Sequence, residues 1–276
     1  MSTSTSSTWT PAFDVYQGRI GDRLALFSVD LMAADRAPME DRSTHVLVTA
    51  RNPNGPNRRT PAEEVDAIYS LEDVLLPIAS ELNAAYVGRH TLNGETAFSF
   101  YLVGDPAAFI ERAIALSSKS FSLSARTEND PKWGYYFEFL LPDAYEYQSM
   151  MNRHLLATMR QCGDPLTSAR PVDHGALFQK RSLALSATKQ LEQLGYRVSE
   201  PVRRGSEDDA TTDELPWLIT FFRDEPSLSE SAADKFCHEI LDIVNSFGGE
   251  YDGWGSPIKG DHEHEEESWY DEAVGS

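Results

Sequence analysis

The chain is 276 residues long, the size of one large domain or two ordinary ones, and its 41% hydrophobic content supports packed cores and excludes wholesale disorder. It carries 24 Lys and Arg against 44 Asp and Glu, a net charge of −20. A surface this acidic excludes a protein that coats duplex nucleic acid, because phosphate contacts need cationic side chains, and it favours cationic partners.

Met1–Thr10 is Ser/Thr-rich and reads as a disordered lead, without the basic and apolar regions of a secretion signal. Two β-like runs follow, Phe13–Ile20 and Arg23–Leu31, with Gly21-Asp22 between them as a tight turn. His45–Ala50 is the next strand, and a Pro/Asn/Gly loop follows it. Thr60, Pro61 and Glu63 then form a helix start: a capping hydroxyl, proline at the first helical position, and the glutamate of a capping box. Val65, Ile68, Leu71, Leu75, Ile78 and Leu82 carry the helix forward, and Pro77 is expected to kink or break it. Strands Ala84–Thr91 and Thr96–Val103 flank Asn93-Gly94, a strong hairpin signal. Asp105-Pro106 opens a second helix, and Phe121–Thr127 closes a βαββαβ series. Trp133–Leu141 is expected as a further strand and Asp143–Gln161 as a helix stopped at Gly163.

The same order returns after Gly163–Pro171. Val172–Phe178 reads as a strand, followed by a helix bearing Leu183, Ala187, Leu191 and Leu194 and by the strand Tyr196–Val202. After the polar acidic loop Arg203–Glu214 come strand Trp217–Phe222, a helix bearing Phe236, Ile240, Val244 and Phe247, and strand Glu250–Trp254. The expected fold class is therefore α+β, with two ferredoxin-like βαββαβ domains in tandem. The first carries an extra N-terminal hairpin and a strand-helix extension. The expected boundaries are a lead at 1–10, domains at 11–163 and 172–258, a linker at 164–171 and an acidic tail at 259–276.

Residues 170–276 hold 10 Lys and Arg against 23 Asp and Glu, net −13, while residues 1–169 are net −7. Much of the excess lies beyond Lys259, in a run expected to be solvated and disordered. No nucleophile elbow, phosphate loop, dinucleotide fingerprint, zincin helix or EF-hand loop is present. His262 and His264 sit among acids but lack the fixed geometry of a metal site. Cys162 and Cys237 supply no disulfide framework and read as helix packing residues. No cofactor and no metal is expected. Trp133, Tyr135, Phe137 and Phe139 would share one face of a strand, open to base stacking or to packing under helices. Glu138 and the net charge weigh against direct nucleic-acid binding. The apolar runs are too short to span a bilayer, and a cytoplasmic protein is expected.

The string Glu250-Tyr251-Asp252-Gly253-Trp254-Gly255 places two glycines in or beside a terminal strand, where a bulge or a close backbone approach is expected. Tyr251 and Trp254 are of the types that anchor interfaces. With the Phe-rich helix end before it and the acidic tail after it, this segment resembles the family of regulators of ribonuclease E activity B, over roughly residues 175–260. The first part resembles a bacterial domain of unknown function, family 695. The residues that carry this likeness are Tyr86-Val87-Gly88-Arg89, Thr91, Asn93-Gly94, Asp130-Pro131, Trp133, Phe139 and Pro142. It continues through Gln148, Asn152-Arg153, Gly163-Asp164 and Arg170-Pro171-Val172-Asp173-His174. The resemblance implies a ferredoxin-like second domain and a non-catalytic role, restraining RNA cleavage by binding a ribonuclease E-like protein with a basic, arginine-rich segment. Two departures stand out: a whole additional domain in front, and Arg203-Arg204-Gly205-Ser206 beside Glu207-Asp208-Asp209.

The leading expectation is thus a regulator or adaptor acting by protein–protein binding. Tyr251, Asp252, Trp254 and the acidic Glu207, Asp208 and Asp209 are the contact residues. The alternative is a small-molecule site or enzyme in which Arg89, His90, Asp173 and His174 converge at the domain junction.

Overall fold

The computed structural model describes residues 10–52, 61–204 and 215–259. Thr60, Glu207, Asp208, Asp209, most of the lead and the tail beyond Lys259 lie outside the described residues. The chain divides into two compact units, Met1–Glu146 and Tyr147–Ser276. Each combines helices with an antiparallel sheet, an α+β construction.

In the first unit β1 (Phe13–Ile20) and β2 (Arg23–Asp30) form a hairpin around Gly21-Asp22. β3 (Thr44–Arg51), α1 (Pro61–Glu81), β4 (Ala85–Leu92), β5 (Glu95–Leu102), α2 (Ala107–Ala115) and β6 (Ser122–Asn129) follow, and the sheet order is β1-β2-β4-β5-β3-β6. Asn93 and Gly94 both adopt positive φ, 52° and 75°, the backbone that a two-residue hairpin turn requires. Asp105 caps α2 by accepting from the Ala107 N–H at 3.0 Å. Alternation puts Val46, Val48, Phe98 and Phe100 on one sheet face, where α1 and α2 bury them with Leu71, Leu75 and Phe109. Each of the larger side chains contributes roughly 1.5–3 kcal/mol by leaving water. α1 runs unbroken through Pro77. Pro77 and Asp73 are both exposed, so the carbonyl left without an intrahelical partner faces water.

Trp133–Leu141 is not a strand. A helical turn begins after Asp130, whose carboxylate accepts from the N–H groups of Gly134 (2.8 Å) and Tyr135 (3.0 Å), and it passes into a π-helical turn over Tyr136–Leu140. Trp133, Tyr136 and Leu140, three and four residues apart, are buried together. Trp133 stacks on Tyr101 with centroids 4.0 Å apart. The shared aromatic face expected of a strand therefore does not exist.

The division between the units falls in the first turn of α3 (Ala144–Gln161), whereas the sequence reading kept this helix in the first domain. Its Leu156 and Met159 lie in the second core. β7 (Arg170–Phe178), α4 (Arg181–Gln193), β8 (Arg197–Val198), β9 (Val202–Arg203), β10 (Trp217–Glu225), α5 (Glu230–Ser246) and β11 (Glu250–Gly255) complete the unit. The sheet runs β11-β7-β10-β8, with β9 also on β10 and with α3, α4 and α5 contributing to a core on one face. The expected strand Tyr196–Val202 is split into β8 and β9, because Pro201 cannot donate to the ladder. The segment read as a linker is packed. Leu166 is buried, and Asp164 and Arg170 form a fully buried ion pair in which Arg170 Nη2 donates to Asp164 Oδ1 at 2.9 Å. Asp164 also accepts from the backbone N–H of Leu166 and of Lys259, both at 2.8 Å.

Candidate functional site

Register fixes which side chains of the second sheet face away from the helices. Leu177 lies opposite Leu218 and Glu250, Gly175 opposite Thr220, and Asp173 opposite Phe222. This face carries the exposed carboxylates Asp173, Asp224 and Glu250 around half-buried Leu177, Leu218 and Phe222. Asp252 joins them: a Cβ on Gly175 would stand 3.3 Å from the Asp252 Cβ, so the glycine leaves room for that side chain. Arg197 lies beside this group, with its guanidinium 5.0 Å over the Phe222 ring and 3.4 Å from Asp224.

The Tyr-Asp-Gly-Trp string owes its shape to a β-bulge between Tyr251 and Gly253. In a regular strand Tyr251 and Trp254, three apart, would point to opposite faces. The extra residue resets the alternation, helped by Gly253 at φ 98°, so both rings turn inward. The Trp254 indole N–H donates to Asn152 Oδ1 at 2.7 Å, and the Gln148 amide donates to the same oxygen at 2.9 Å. Asn152 Nδ2 donates to Asp234 at 2.9 Å, which ties α3, α5 and β11 together in a partly buried network centred on buried Asn152. The Tyr251 hydroxyl bonds His174 Nδ1 at 2.8 Å. Burial, with Arg223 adding to it, lowers the His174 pKa to about 3, so the ring is neutral at physiological pH. Of the three expected contact residues in this string, Asp252 is the one facing out.

Arg89 and His90 are neighbours on β4 and point to opposite faces. Arg89 ion-pairs with Glu72 of α1 at 2.9 Å. His90 lies on the face away from α1, edge-on to Phe139 with centroids 5.0 Å apart, and burial beside Arg126 lowers its pKa to about 4. Asp173 and His174 are separated in the same way, one exposed and one buried. Among these four, then, no sequence neighbours share a pocket.

The first unit also aligns three residues that sequence reasoning missed. The Ser99 hydroxyl lies 2.7 Å from His45 Nε2, and His45 Nδ1 lies 3.0 Å from Glu128 Oε1. Burial lowers the His45 pKa. A neutral ring that donates to Glu128 leaves Nε2 to accept from Ser99. This is the group order that activates a serine, but Ser99 is 0% and His45 1% exposed, with the imidazole between Tyr101 and Tyr135. The row is a hydrogen-bond chain across three strands, closed at its Ser99 and His45 members and open to solvent at Glu128, and only pairing register could have revealed it.

Cys237 is buried, as expected, while Cys162 is exposed. Among the described residues no group of His, Cys, Asp and Glu is arranged to hold a metal, and no helix is long and apolar enough to cross a membrane.

The units so built are two α+β modules, one with a carboxylate-rich open face and one with a cleft floored by its sheet. Residues 149–256 match the family "Regulator of ribonuclease activity B" (RraB), and residues 12–141 match a family of unknown function, DUF695. Asn152, Asp164, Arg170 and His174, which the sequence reading attached to the DUF695 likeness, fall within the RraB match. No curated protein matches the chain. Among solved structures, an unknown protein from Galdieria sulphuraria is 10% identical over 78% of this chain and 99% of its own, with a TM-score of 0.23. A VAO-type flavoprotein from Myceliophthora thermophila C1 is 11% identical over 75% of this chain and 39% of its own, with a TM-score of 0.26. Likenesses this slight bear on neither fold nor function.

Proposed function

We propose that the protein is a non-catalytic cytoplasmic regulator that binds a basic protein partner, an RNA-processing ribonuclease of the ribonuclease E type, through its second unit. The observation that carries this reading is the match of residues 149–256 to a family of ribonuclease regulators. The outward carboxylates Asp173, Asp224, Glu250 and Asp252, set around apolar Leu177, Leu218 and Phe222, support it, because a cationic segment finds both charge and desolvated contact there. In this reading Asp252 meets the partner together with Glu207, Asp208 and Asp209, while Tyr251 and Trp254 hold the strand that presents it. Strand orders β4-β5-β3-β6 and β8-β10-β7-β11 support reading both units as ferredoxin-like.

The test uses the immobilised full chain and a purified ribonuclease E-type enzyme. Capture at low salt, loss of capture at high salt, and slower cleavage of an RNA substrate are expected. The double variant Asp173→Asn, Asp252→Asn should weaken capture about tenfold without lowering the melting temperature. No capture at low salt together with an unchanged cleavage rate would overturn the proposal.

A further inference from the structure

The face of the first sheet opposite α1 and α2 has an order set by register. Ala97 of β5 lies between His90 of β4 and Thr49 of β3, and Thr49 lies opposite Ser124 of β6. This row of small side chains makes a floor. On one side of it, two residues along the strands, Arg51 stands opposite Glu95. On the other side, Arg126 stands opposite Leu47. At roughly 3.3 Å per residue the two arginines rise about 7 Å to either side of the floor, within reach of a ligand lying on it. Arg23 closes a third side of the hollow, which has a volume of about 460 Å³.

Three arginines and one glutamate line this hollow, a balance of +2 inside a chain of net charge −20. Glu95 is taken up by Arg51 at 2.8 Å. Leu47, His90, Leu92 and Arg126 are shared with an adjoining cleft of about 690 Å³, so the two are continuous. That cleft is walled by the half-buried rings of Tyr135 and Phe139, with Glu128, Asp130 and Glu138 at its rim.

We propose that this trough binds a phosphomonoester with a planar ring, the chemistry of a mononucleotide. Guanidinium groups converging from different strands suit a dianionic phosphate, which each can meet with two parallel N–H donors. The Thr49 and Ser124 hydroxyls add donors from the floor. The aromatic wall offers the ring an apolar surface, and the rim carboxylates accept from its amino groups. Both hollows are of the size that small-ligand sites occupy.

Calorimetric titration of the full chain with AMP, inorganic phosphate and adenosine tests this. AMP should bind more tightly than either fragment. Arg126→Ala and Arg51→Ala should each raise the Kd for AMP about tenfold or more, the loss of a charge-assisted pair. Both side chains are exposed, so both variants should keep the parent melting temperature. R126K should recover part of the affinity. The proposal is overturned if AMP fails to bind at millimolar concentration, if adenosine binds as tightly as AMP, or if the Kd is unchanged in both variants.

Discussion

The two sheets share one strand order, β4-β5-β3-β6 in the first unit and β8-β10-β7-β11 in the second, and each buries one face under helices. Their other faces differ in sign. The first gathers Arg23, Arg51 and Arg126 around a hollow, and the second gathers Asp173, Asp224, Glu250 and Asp252 on an open surface. Topology therefore fixes where a ligand can sit and leaves its chemistry to the side chains that alternate outward. On the two proposals above, the concave cationic hollow suits a small anion and the broad acidic face suits a macromolecular cation.

This contrast requires that each face depend on its own core, and the largest expected effect tests that. Arg170→Ala leaves the Asp164 carboxylate buried without its partner and should cost about 3–5 kcal/mol in urea unfolding. Partner capture should be lost while AMP titration of the first unit is retained; loss of both would break the contrast. Hydrogen bonds from Arg170, reinforced by backbone N–H groups, hold the Asp164 pKa at about 2. An unfolded aspartate titrates near pH 4, so the pair contributes fully above about pH 4 and its contribution fades as pH falls toward 2. Urea midpoints followed through that range should fall for the parent and be flatter for R170A.

A smaller effect is expected in the other unit. Gly88 sits at a bulge with φ 148°, and a Cβ there would collide with the Ser28 carbonyl oxygen. Gly88→Ala should cost about 1–3 kcal/mol by urea unfolding, weaken AMP binding and spare partner capture. The smallest effect belongs to Tyr251→Phe. It removes the hydroxyl that meets His174 and should cost about 1 kcal/mol. Capture should be unchanged. A loss of capture at unchanged stability would make Tyr251 itself a contact and shift the surface toward the strand end.

Local chemistry made most elements legible. Gly21-Asp22, Asn93-Gly94 and Asp105-Pro106 each carry their own turn or cap, and the structure puts a hairpin or a helix start at each. The same Asp-Pro signal at Asp130-Pro131 went unread, because Trp133, Tyr135, Phe137 and Phe139 also satisfy period two. Spacing of three and four at Trp133, Tyr136 and Leu140 was the competing pattern, and burial chose it. Glycine and proline at 163–171 mark a bend without saying whether it packs, and the Asp164–Arg170 pair that makes this segment part of the fold closes only in three dimensions. The outward faces were illegible for a related reason. Arg51 and Arg126 flank one floor only once β3 lies between β5 and β6, a pairing between segments distant in sequence. The bulge was anticipated from Gly253, but its effect of turning Tyr251 and Trp254 to the same side was not.

That irregularity bears on how the molecule behaves in a crowd. β11 is the last strand of its sheet, and an unbroken border strand invites a second copy to zip alongside it. With one residue too many between Tyr251 and Gly253, the outward amides and carbonyls lose their even spacing, and Asp252 stands guard with its charge. This border is thereby a poor template for fibre growth, and the sheet face proposed above for a partner stands beside an edge that resists pairing with itself.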